Sequence, residues 1–125
     1  AAQDLRYQIT QPVSLSAPAR GSVTLPCAFT YPRDIKPLRD VQVYWRRGGD
    51  HGEFIYNHTE GFTHPDYGGC IVLVGDPRGN RTASICIDRL RESDASEYVC
   101  QVRVQKNDGK WEQWRGVPGT HLTVT

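Results

Sequence analysis

The chain has no apolar run approaching the roughly 18 to 20 residues that a membrane-spanning helix needs, so no span is expected within it. It also lacks a basic-then-apolar leader, and any signal peptide, stalk and membrane anchor are expected to lie outside it. Charge of one sign is missing too: 15 Lys and Arg against 14 Asp and Glu leave a formal charge of +1. That balance excludes a global field of the kind that gathers nucleic acid or anionic membrane, so any charge-based recognition must be local. No Cys-x-x-Cys occurs, and His51, His58, His64 and His121 are scattered. Neither a metal site nor a cofactor is therefore expected. With no Gly-x-Ser-x-Gly elbow, no phosphate-cradling glycine motif, and Asp34, Asp40 and Asp50 lacking a partnered base, the chain does not read as an enzyme.

What remains is informative. At 125 residues the chain fits one domain, 1–125, large enough to bury its own core. Cys27, Cys70, Cys86 and Cys100, together with the sequons Asn57-His58-Thr59 and Asn80-Arg81-Thr82, point to an oxidising secretory route. An extracellular glycoprotein is expected.

Period-two alternation marks strands along the whole chain and predicts an all-β sandwich of two sheets. Tyr7-Gln8-Ile9 and Val13-Ser14-Leu15 flank Pro12, which suits a first strand that breaks and crosses between sheets at an edge. Val23, Leu25, Cys27 and Phe29 share one parity and face inward. Residues 31–40 hold two prolines and show neither period, so they read as a long loop. Val41, Val43, Trp45 and Arg47 share the inward parity of the next strand. The turn Gly48-Gly49-Asp50-His51-Gly52 leads into a short strand, Glu53-Phe54-Ile55-Tyr56. Residues 57–69 are irregular, and no strand can be located in them. Residues 98–104 and 119–125 are the last two strands, separated by a polar turn and by Trp111 and Trp114.

Residues 70–74 and 83–90 flank a turn and read as an antiparallel hairpin. With the hairpin centred near Arg78, position 70 faces 86 and position 72 faces 84, while Ile71, Leu73, Ile85 and Ile87 point to the core. Cys70 and Cys86 then lie opposite on the outer face, within the roughly 4.4 to 6.8 Å that a disulfide spans. The predicted pairing is Cys27–Cys100 and Cys70–Cys86, because the other two connectivities each join an inward cysteine to an outward one. In the chain-entropy picture the long loop contributes about 4 kcal/mol and the short one about 3 kcal/mol.

The parity opposite to Trp45 and Cys100 gathers Gln42, Tyr44, Arg46, Gln101 and Arg103 on one outer face, with Tyr56, Trp111 and Trp114 expected along its border. Aromatics and arginines on one face match the composition of interface hot spots. The plainer reading is a solvated sheet with one tryptophan at the rim.

Ser93-Asp94-Ala95-Ser96-Glu97-Tyr98-Val99-Cys100, taken with Cys27, Trp45 and Gly119-Thr120-x-Leu122-Thr123-Val124, resembles the V-set immunoglobulin family across nearly the whole chain. The resemblance implies a Greek-key sandwich in which Tyr98 returns its hydroxyl to the backbone upstream and Trp45 packs on the Cys27–Cys100 bridge. It also implies an ion pair between Arg47 and Asp94, since Cys70 stands where many V domains place the aspartate's usual arginine. More narrowly, Leu25-Pro26-Cys27-Ala28-Phe29-Thr30-Tyr31-Pro32, Tyr44-Trp45-Arg46-Arg47-Gly48 and Val72-Leu73-Val74-Gly75-Asp76-Pro77 look like the N-terminal domains of siglecs and paired immunoglobulin-like type 2 receptors. Those families bind sialylated glycans or glycopeptides through an arginine directly after the position of Cys100, helped by a tryptophan near the last strand. Here that position is Gln101, which carries no charge for a bidentate pair with a carboxylate. Arg103 lies on the same face one pleat on, roughly 6.5 to 7 Å along the strand.

The expected function is the ligand-binding ectodomain of an immune-type cell-surface receptor, which docks a protein or glycoprotein partner on the outer (GFCC′) face and adjoining loops. One alternative is a sialic-acid lectin using Arg103 with Trp111 or Trp114. A second is V-domain pairing as in antigen receptors, giving a homodimer through the same sheet. Non-reducing peptide mapping is expected to recover Cys27 joined to Cys100 and Cys70 joined to Cys86; Cys27 joined to Cys86 would overturn the parity argument.

Overall fold

Alternating apolar residues become two facing layers in the computed structural model, which describes residues 7–31, 39–49, 52–57, 62–67, 71–76, 81–116 and 119–125. One layer is a seven-stranded sheet. Its order runs β2 (Ser14–Ala17), β12 (Thr120–Val124), β10 (Ser96–Gln105), β5 (Asp40–Arg47), β6 (Glu53–Asn57) and β7 (Phe62–Thr63), with β11 (Trp111–Arg115) paired to β10. The opposite layer holds β3 (Val23–Leu25), β9 (Ile85–Ile87) and β8 (Ile71–Leu73), together with β1 (Gln8–Thr10) on β4 (Ala28–Thr30). β3 and β4 are one strand interrupted at Pro26, which has no N–H to give a ladder; Phe29 N donating to Arg81 O carries the pairing onward.

Pro12 does what proline does at an edge. β1 pairs antiparallel with β4, and after Pro12 β2 pairs parallel with β12 in the other layer. Trp45, fully buried, donates its indole N–H to Ala83 O at 2.9 Å, and the Cys27–Cys100 disulfide joins the layers beside it. Alternation did not locate the small strand β7, because two residues carry no readable period, nor β11, whose sequence reads only as a turn with two tryptophans.

The β8–β9 hairpin differs from expectation in register. Val72 faces Cys86, with Ile71 opposite Ile87 and Leu73 opposite Ile85. Val74 N and Gly75 N both donate to Ser84 O, and Asp76 N donates to Thr82 Oγ1, so the turn is not symmetric about Arg78. The pairing is displaced by two residues, which preserves parity and hence the core face. Cys70 and Asn80 lie outside the described residues; Cys86 is half-buried on the outer side with no disulfide to a described cysteine.

Gln11 closes a gap in the ladder of β10. β12 pairs with β10 over Ser96–Tyr98 and β11 pairs with it from Gln101 onward, so Cys100 N lies between the two ladders. The Gln11 amide donates to Tyr98 O and accepts from Cys100 N, both at 3.2 Å. Space is tight: a Cβ on Gly116 would fall 2.0 Å from Gln11 Oε1.

The corner before β10 forms as the family resemblance implied, with one substitution of partners. Tyr98 Oη donates to Asp94 O at 2.5 Å. Its single proton is thereby used, so Tyr67 Oη, 2.9 Å away, donates to Tyr98, and Arg47 Nη1 donates to Tyr67 at 2.8 Å. Burial pushes both tyrosine pKa values up, keeping the hydroxyls neutral donors. Arg47 also donates to Ser93 O, and Asp94 takes Arg91 as its partner: Arg91 N donates to Oδ2 at 2.8 Å and Arg91 Nη2 lies 3.3 Å from Oδ1. The expected Arg47–Asp94 pair is corrected accordingly. The short 3₁₀ turn at Glu92–Asp94 folds the carboxylate back on the N–H at its own start, a local closure with less chain to order than a pairing across the fold.

Replacing Tyr98 with Phe leaves the Asp94 carbonyl and the Tyr67 hydroxyl without this partner in a buried site. The expected loss is about 1–3 kcal/mol of unfolding free energy, read from urea denaturation with an unchanged m-value.

Candidate ligand-binding face

β10 sets the geometry of the outer face. Cys100 and Val102 are fixed in the core, so Gln101 and Arg103 emerge on the opposite side. Across one ladder Gln101 faces Tyr44 and Arg103 faces Gln42; across the other Gln101 faces Arg115, Arg103 faces Gln113 and Gln105 faces Trp111. On β6, Phe54 stands opposite Arg46. One surface thus carries Phe54, Tyr44, Arg46, Gln101, Arg103 and Trp111.

These side chains hold one another in place. Tyr44 and Phe54 have ring centroids 5.4 Å apart, and Arg46 Cζ sits 3.8 Å over the Phe54 ring. Arg46 Nε donates to Gln101 Oε1 at 3.1 Å and Nη1 to Gly52 O at 2.8 Å. Gln101, only 8% exposed, passes the chain on by donating to Gln113 Oε1 at 3.2 Å. Tyr44 donates to Gln42 Oε1 at 2.5 Å, and Gln42 donates to Asp40 at 3.2 Å. Further along, Arg103 Cζ lies 4.2 Å above the Trp111 ring. A cavity of about 160 Å³ opens beside Gln101, lined by Gln113, Trp114 and Arg115. Order of this kind lowers the entropy lost when a partner docks.

Two expected border residues face the other way. Trp114 opposes Val102 on the inward side, packs at 6.1 Å on Phe29 and 5.1 Å on Tyr7, and donates to Gln8 O at 3.1 Å. The cause is that Trp111–Arg115 forms a strand of its own, so positions 111 and 114 have opposite parity. Tyr56 is also turned inward, beside Trp45, and burial raises its hydroxyl pKa while it hydrogen-bonds the Leu73 backbone. A bulge between Trp45 and Arg46 inserts Ile55 as a second buried residue, so Phe54 rather than Tyr56 reaches the face at 37% exposure. Asn57, expected to carry a glycan on an exposed loop, is the last residue of β6 and 6% exposed.

Phe54, Gln113 and Arg115 are face residues that alternation alone missed. The signal for the last two was present: Trp111, Gln113 and Arg115 share a parity once the segment is read as a strand. Phe54 shares the parity of Tyr56, which is expected on the face; what no sequence signal marks is the bulge that turns Tyr56 inward.

An immunoglobulin V-set domain model matches residues 10–125. The chain belongs to the immunoglobulin V-set family. The paired immunoglobulin-like type 2 receptor alpha of Mus musculus is similar at 33% identity over 119 residues, covering 95% of this chain and 39% of that protein. The sialic acid-binding Ig-like lectin 12 of Pan troglodytes is 31% identical over 110 residues, covering 84% of this chain and 18% of that protein. A solved structure of murine CRIg shares the fold, with a TM-score of 0.73 at 21% identity over 95% of this chain and 98% of that one. The chain spans 39% to 52% of the length of the paired receptors it matches. The V-set family and these receptors are not enzymes. Among the described residues no helix is long and apolar enough to cross a membrane.

The inward and outward tryptophans should separate in a stability assay. Trp114→Ala is expected to lower unfolding free energy by about 3 kcal/mol through lost packing on Phe29 and Tyr7, whereas Trp111→Ala changes it by less than about 1 kcal/mol. Thermal and urea unfolding of the two variants check this directly.

Proposed function

We propose that residues 1–125 form a single V-type domain that acts as the ligand-binding ectodomain of an immune-type receptor anchored at the cell surface. It docks a protein or glycoprotein partner on the outer face of β11, β10, β5 and β6. The observation that carries this reading is the prearranged set of aromatics and guanidiniums running from Phe54 through Arg46 and Tyr44 to Arg103 and Trp111. Rigid aromatic area beside forked donors is what interface hot spots are made of. Similarity to receptors whose names include paired immunoglobulin-like receptors supports the same class.

A sialic-acid reading has one specific observation in its favour, the stacking of Arg103 on Trp111. Against it, the position after Cys100 is an uncharged glutamine already engaged by Arg46 and Gln113. An unsubstituted amide offers a carboxylate no charge-assisted pair, so a sugar would have to dock one pleat away from the place used by the lectins this chain resembles.

A multimer of the domain, stained against a panel of cell types, tests both readings. Phe54→Ala and Trp111→Ala are each expected to weaken staining at least about tenfold while leaving the fold intact. Retention of staining in both variants sinks the face as the docking site. Sialidase treatment is expected to leave staining unchanged; its loss, together with loss in Arg103→Ala, favours the lectin reading.

A further inference from the structure

The outward positions of β10 and β11 form a small checkerboard. Arg103 lies across the ladder from Gln113, and Arg115 lies across from Gln101, so the two arginines occupy one diagonal and the two amides the other. The amides bond each other at 3.2 Å and form a neutral rung between the cations. Same-face positions on such a diagonal are roughly 7–8 Å apart. Among the described outward positions of β5, β6, β10 and β11, Arg46, Arg103 and Arg115 stand against two carboxylates, those of Asp40 and Glu97. Both lie at strand ends and are already engaged: Asp40 is held by Val41 N at 2.9 Å and by Gln42, and Glu97 accepts from Gly119 N at 3.0 Å. A chain of formal charge +1 therefore presents a locally cationic docking face.

We infer that the partner meets this face with an acidic segment in extended conformation, with carboxylates on alternate residues seated on Arg103 and Arg115. The inference rests on the face proposed above and specifies its chemistry. An extended chain repeats same-side residues about every 6.5 to 7 Å, close to the diagonal between the two arginines. Arg103 is held ready for such a carboxylate, because its guanidinium sits over Trp111 and keeps an edge free to form a forked pair. The cavity at Gln101, Gln113 and Arg115 receives the second acidic side chain, where amide N–H groups add donors beside the cation. A sugar with a single carboxylate engages one arginine; an alternating acidic segment engages both.

The probe is a synthetic peptide of alternating glutamate and threonine, titrated into the isotopically labelled domain and followed through backbone amide shifts. Shifts are expected to centre on Arg103, Gln113 and Arg115. Arg103→Gln and Arg115→Gln are each expected to weaken binding at least about tenfold. A peptide of equal charge with its glutamates three apart binds more weakly, and added salt weakens the interaction further. Equal binding by wild type and both variants, or no preference between the two spacings, overturns the inference. The cell-staining multimer separates this from failure of the face itself. If Phe54→Ala and Trp111→Ala abolish staining while Arg103→Gln and Arg115→Gln retain it, the face stands and the acidic partner falls. Loss confined to Arg103→Gln that sialidase reproduces assigns the anion to a glycan, which also overturns it.

Discussion

The inward pull on Cys100 orders everything on the recognition side of this domain. Once its sulfur is bonded to Cys27 and Trp45 is packed against the bridge, the pleat of β10 admits one arrangement, with Tyr98, Cys100 and Val102 inside and Gln101 and Arg103 outside. A slip of one residue would bury two polar side chains and expel the disulfide. The core and the docking face are therefore two sides of one constraint, and β5 and β11 inherit their facing from it through the ladders.

Constraint at the bottom of β10 comes from a run of hydrogen bonds rather than an ion pair. Arg47, Tyr67 and Tyr98 pass donors one to the next and end on the Asp94 carbonyl, so the charge of Arg47 stabilises a string of neutral hydroxyls. Asp94 is meanwhile satisfied within its own turn by Arg91. Each hydroxyl has one place to send its proton, and cooperative polarisation along the string favours the whole over its parts.

Much of this was legible in the residues themselves. Alternation identified the facing of β5 and β10 and hence Tyr44, Arg46, Gln101 and Arg103, because strands buried on one side leave a strict period. It also gave the crossing at Pro12. What escaped were features that break the period without changing composition: the bulge at Ile55, which turns Tyr56 inward and leaves Phe54 on the face, and the register after Leu73, which sets Cys86 opposite Val72. Trp114 escaped for a different reason, since a pair of tryptophans draws attention to aromaticity when parity is what decides their side. The Arg47–Asp94 pairing followed from resemblance and gave way to Tyr67, which lies in a stretch where sequence patterning is silent.

Gln11 and Gly116 together act as a splice point. Downstream of Gly116 the chain becomes β12, which pairs with β10 over Ser96–Tyr98 and is held to Gln11 through Thr120 Oγ1, and upstream it belongs to the β10–β11 hairpin. The Gln11 side chain bonds both segments, at Tyr98 O and Cys100 N on β10 and at Thr120 Oγ1 on β12, and none of these bonds involves the hairpin tip. The sandwich can thus keep a fixed frame while the tip beyond Gln105 and Trp111 is recut. Diversification of the binding edge and preservation of the core become separable problems, divided at one glycine that has room for no side chain of its own.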